Sequence, residues 1–108
     1  MSDIQAYADD IKKYTDSVDM EVVEELAGRL AGTMAKADAR YVAASDPEEL
    51  ARVREGFVNK NLNVTDDTKA DEAIAVVAEK MKEDRTKSRV TFYYLLIEEL
   101  GAKSAYIK

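Results

Sequence analysis

One apolar stretch near the C-terminus sets the terms for any fold this chain adopts. Between Arg89 and Leu100, the residues Val90, Phe92, Tyr93, Tyr94, Leu95, Leu96 and Ile97 leave almost no polar face. A run this short reads equally as a buried strand or a buried helix, because periodicity does not separate the two. Two features decide for helix. Glu98, Glu99, Leu100 and Gly101 carry the run on to a helical stop. No second strand-like run exists to pair with it, and a lone strand would leave its backbone groups unsatisfied. A helix that is apolar all round has to be covered all round. It is therefore expected at the centre of a bundle or in a subunit interface.

Four more helices are legible upstream. The first spans about Ser2 to Tyr14, with Ile4, Tyr7, Ile11 and Tyr14 on one face and Asp3 at the positive helix end. The second spans Met20 to about Lys36 behind an Asp19 N-cap, with a buried stripe of Val22, Val23, Leu26, Ala27, Leu30 and Met34. Gly28 and Gly32, four apart on it, would let another helix approach closely. The third starts at Asp46-Pro47-Glu48-Glu49, where the aspartate caps, the proline takes the first turn and Glu49 stands at the capping-box position. It carries Leu50, Val53, Phe57 and Leu62 inward and frays around Asn59 to Asn61. The fourth runs from about Thr68 to Lys82, with Ile74, Val77, Ala78 and Met81 inward. The predicted fold is all-α: one compact bundle of about five helices over residues 1–108, a single domain, with the apolar C-terminal helix central.

Composition narrows the chemistry. The 108 residues include no cysteine and no histidine, which removes disulfides, thiolate metal sites and the commonest general base. With 16 basic residues against 22 acidic, the net charge is −6, which disfavours nucleic acid and anionic lipid. No apolar run approaches the ~20 residues of a spanning helix, and the N-terminal residues do not read as a signal peptide, so no membrane association and a cytoplasmic location are expected. There is no P-loop and no Gly-x-Gly pattern. Asn63, Thr65 and Asp67 alternate as in a calcium loop, but Thr68 and Ile74 stand where a glycine and a bidentate glutamate are needed. No catalytic residue, metal site or cofactor is predicted.

Charge is unevenly spread. Residues 1–25 carry two lysines against eight acids, whereas residues 80–89 carry five basic residues against two acids. Within that island Arg85, Lys87 and Arg89 are the anion-binding candidates. They precede an apolar helix that Thr86 or Ser88 would cap, and a helix N-terminus beside arginines favours a phosphate. The competing reading has the same residues paired with carboxylates of the chain itself, fixing the helix junction.

The segments Ser45-Asp46-Pro47-Glu48-Glu49-Leu50-Ala51-Arg52-Val53-Arg54-Glu55-Gly56-Phe57 and Asp84-Arg85-Thr86-Lys87-Ser88-Arg89-Val90-Thr91-Phe92-Tyr93-Tyr94-Leu95-Leu96 resemble a bacterial family of short proteins catalogued as domain of unknown function 2853. The resemblance implies a bacterial, cytosolic, helical, stand-alone domain and draws attention to Arg52 and Arg54 beside Arg85, Lys87 and Arg89. It supplies no activity. The leading expectation is a non-enzymatic domain acting through protein–protein contact or as a homo-oligomer. The alternatives are an anion or nucleotide-bearing ligand at residues 85–89, and an acid–base enzyme built on two carboxylates facing across a cleft.

Overall fold

The computed structural model describes residues 3–36, 40–84 and 87–107. These form α1 (Asp3–Ile11), α2 (Met20–Arg29), α3 (Ala31–Met34), α4 (Pro47–Val53) with a π-helical continuation over Arg54–Asn59, α5 (Asp67–Lys80), α6 (Arg89–Leu100) and α7 (Lys103–Tyr106). No strand occurs among the described residues. An isolated antiparallel bridge joins Tyr41 to Ser88, through Val42 N–H to the Lys87 carbonyl at 2.8 Å and Arg89 N–H to the Arg40 carbonyl at 2.9 Å. Ser2, Arg85 and Thr86 lie outside the described residues, as do the side chains of Asp3 and Met34.

The apolar run is a helix. Arg89 through Ile97 are all buried, and α6 packs against α1, α2, α5 and α7. Phe92, Leu95 and Leu96 are fully enclosed, and each such side chain stabilises the fold by roughly 1.5–3 kcal/mol of transfer free energy. The helix stops at Gly101, whose φ of 59° is the left-handed conformation that a residue without a Cβ adopts at no steric cost. The covering faces are those that the spacing predicts. Ile11 of α1, Val22, Val23 and Leu26 of α2, Val53 of α4, and Ile74 and Val77 of α5 are buried, with Met81 just beyond α5.

Aspartates start three of the helices. Asp19, Asp46 and Asp66 accept hydrogen bonds from the backbone N–H groups of Glu21, Glu48 and Thr68 respectively, satisfying donors that have no partner within the helix.

Several expectations need correction. The second helix does not reach Lys36 unbroken: Leu30, at φ −97° and ψ 8°, ends α2 and starts the short α3. Gly28 and Gly32 are not close-approach points, because nothing lies within 4 Å of a Cβ placed on either. Glu49 does not close a capping box. The Asp46 N–H donates instead to the Ala43 carbonyl, and the Glu49 carboxylate turns to Arg89 and Arg52. The third helix does not fray from Asn59; it widens into π geometry and closes with Leu62 N–H on the Phe57 carbonyl. Phe57 and Val58 of this segment are both buried in the core. Helices α5 and α6 are separate elements, and α7 adds a short turn whose Tyr106 reaches the core.

Candidate functional site

The basic island leads into the start of α6. Arg89, the first residue of α6, is only 9% exposed. Its guanidinium pairs with Glu49 at 3.2 Å, donates to the Tyr93 hydroxyl at 2.9 Å and reaches the Tyr41 carbonyl at 3.3 Å. The bridge between Tyr41 and Ser88 lays the 40–42 segment across the start of α6, and Glu49 in the first turn of α4 meets Arg89 at the same spot. Lys87 donates to the Asp84 carbonyl at 2.7 Å. Ser88 occupies the N-cap position of α6 without making a side-chain cap bond. Arg85 lies outside the described residues. Of the other two arginines singled out in the sequence, Arg52 pairs with Glu49 at 3.3 Å and Arg54 with Asp71 at 3.3 Å. Arg89 and Lys87 thus face inward or along their own loop, rather than jointly toward solvent.

Arg89 also begins a stack. Its guanidinium lies 5.6 Å from the Tyr93 ring centre, Tyr93 stacks on Phe57 at 3.9 Å, and Phe57 meets Tyr106 edge-on at 5.7 Å. Beyond it, Arg29 sits 4.3 Å over the Tyr106 ring and pairs with Glu25 at 2.6 Å. Burial pushes the Tyr93 hydroxyl above its usual pKa, and Arg89 partly opposes the rise. Such ring pairs contribute about 0.5–1.5 kcal/mol beyond their area. The stack ties α2, the π turn, α6 and α7 together.

At the other end of α6 lies an open groove of about 730 Å³ between α2, α6 and α7. That volume falls within the range of sites that hold ligands or peptide side chains. Val22, Tyr94, Ile97 and Ile107 give it an apolar floor, and Asp19, Glu21, Glu98 and Lys103 stand round the rim. The Tyr94 hydroxyl is fixed by accepting from the Asp19 N–H at 2.7 Å and donating to the Ser17 carbonyl at 3.3 Å. Burial raises its pKa. Lys103 spans the mouth, 2.5 Å from Asp19 and 3.6 Å from Glu21.

The hydrogen bond from Lys103 holds the Asp19 carboxyl below its usual value of 3.8, and Asp19 in turn raises Lys103 above 10.5. A depressed carboxyl pKa adds stability that is complete above the unfolded value and lost as pH falls through the folded one. A raised lysine pKa adds stability that is complete below the unfolded value and lost as pH climbs through the folded one. Melting temperature is therefore expected to fall below about pH 4 and above about pH 10.5, and Lys103→Gln is expected to flatten both limbs. Thermal melts of the two proteins across pH check this; parallel curves would show that the clasp contributes nothing.

Sequence reading located neither the groove nor the stack. Both join residues far apart in the chain, and α7, with four residues, is too short for any periodicity to mark it. Among the described residues no group of three or more acidic side chains is placed to hold a metal ion. No helix among them is long and apolar enough to cross a membrane. In comparison with known proteins, residues 6–104 match the model of a family described as protein of unknown function (DUF2853). No curated protein matches.

Proposed function

The chain belongs to the DUF2853 family, whose function is unknown, and from that premise we propose a non-enzymatic domain that works by docking another polypeptide. In this reading residues 1–108 form one bundle with α6 at its centre, and the partner seats in the groove between α2, α6 and α7. The observation that carries the proposal is that groove: about 730 Å³, open, apolar at its floor and charged at its rim. Acid–base catalysis is less well supported. It asks for one carboxyl kept protonated near neutral pH, whereas Lys103 pushes Asp19 the opposite way. An anion site at residues 85–89 is also less well supported, because Arg89 already has a carboxylate partner in Glu49.

Selection of displayed nine-residue peptides tests the proposal. Enriched peptides are expected to bind the wild-type domain and to lose binding to Ser104→Phe, which fills the groove from the exposed face of α7. Failure to enrich any peptide, or equal binding to the filled variant, would remove the groove as a docking site. Light scattering across protein and salt concentration identifies the polypeptide. Concentration-dependent mass that Ser104→Phe abolishes makes it a second copy; a constant monomer mass makes it a different protein.

A further inference from the structure

The rim of the groove carries more negative charge than it neutralises. Asp19, Glu21 and Glu98 face a single cation, Lys103, among the described residues. Lys103 is held between Asp19 and Glu21. Glu98 takes a neutral hydrogen bond from the Thr15 hydroxyl at 2.9 Å and forms no ion pair among the described residues. The surplus is therefore two carboxylates above an apolar floor. The chain as a whole is acidic by six charges, so its net field attracts cations rather than anions to the molecule.

We infer that the groove takes a peptide segment in which a lysine or arginine neighbours a bulky apolar side chain. The apolar residue seats on Val22, Tyr94 and Ile97, and the cation reaches Glu98. Lys103 is the chain's own cation at the same mouth. It demonstrates that Asp19 and Glu21 together accept an ammonium group, and it competes with the incoming one. Like charges facing an acidic peptide would reject it, so the rim supplies selectivity as well as attraction. This inference rests on the groove being a docking site and adds the chemistry of what docks.

Three fluorescein-labelled nine-residue peptides test it by anisotropy: alternating Leu–Lys, alternating Leu–Glu, and alternating Ser–Lys. Leu–Lys is expected to bind at least about tenfold more tightly than either of the others, since rim charges and an apolar anchor act together. Glu98→Gln is expected to weaken Leu–Lys binding about three- to tenfold with the melting temperature unchanged. Lys103→Gln is expected to strengthen it by a similar factor. Equal binding of Ser–Lys would reveal diffuse attraction to an acidic surface and overturn the inference, as would insensitivity to Glu98→Gln. If Leu–Glu binds as tightly as Leu–Lys and Ser104→Phe abolishes both, the charge selectivity falls while the docking site stands. If Ser104→Phe leaves all binding intact, both fall.

Discussion

Glu49→Ala is expected to destabilise the fold by about 3 kcal/mol, because it breaks a buried ion pair by removing one partner. The Arg89 and Glu49 side chains are 11% and 13% exposed at a separation of 3.2 Å, so little water is available to replace the lost carboxylate. The hydrogen bonds of Arg89 to the Tyr93 hydroxyl and the Tyr41 carbonyl are not altered by this change, so the loss reports on the carboxylate. Removing both charges together is a different matter. Glu49→Leu combined with Arg89→Met removes both halves of the pair and is expected to recover most of the loss, since a buried pair often breaks even against an apolar replacement. Urea denaturation of Glu49→Leu, Arg89→Met and the double variant forms the cycle. Three equal midpoints, all matching wild type, would show that the pair is energetically idle.

Phe92→Ala is expected to cost more, about 3–5 kcal/mol. Phe92 is fully buried in α6, so truncation loses its transfer free energy and leaves a cavity that its surroundings fill only in part. A small domain has about 5–15 kcal/mol of stability in total, so the variant sits at the edge of unfolding. Val76→Ala is the control. Val76, on the outer face of α5, is 38% exposed, and its truncation is expected to stay within about 0.5 kcal/mol. A Phe92→Ala midpoint no lower than that of Val76→Ala would mean that α6 is not packed as described.

The features that sequence carried well are those written in consecutive residues. The bounds of α6, with Gly101 as its stop, follow from a local run and a local terminator. The Asp19 and Asp46 caps follow from residues beside the helix starts they serve. What escaped depends on choices made between distant segments. Glu49 stands where a capping box would place it, yet a charged partner buried at the start of α6 outcompetes a backbone N–H that the Ala43 carbonyl can satisfy instead. Gly28 and Gly32 have helical spacing but face open space. The π turn over Arg54–Asn59 is a shift in backbone hydrogen bonding that α periodicity does not anticipate. For the candidate site, sequence pointed to the basic island, where Arg89 proves to be an internal partner. It passed over Lys103, whose role depends on α7 folding back to α2.

The position of α6 in chain order bears on how the protein is born. Helices α1 and α2 bury their apolar faces on a segment made long after them. At roughly 5–20 residues per second, the end of α1 at Ile11 and the end of α6 at Leu100 are separated by about 4–18 s of synthesis. During that interval α1 and α2 have each other but lack the α6 surface on which they also pack. Folding of the whole chain is a late event, and holdase chaperones have a window in which to act that closes only when the last long helix emerges.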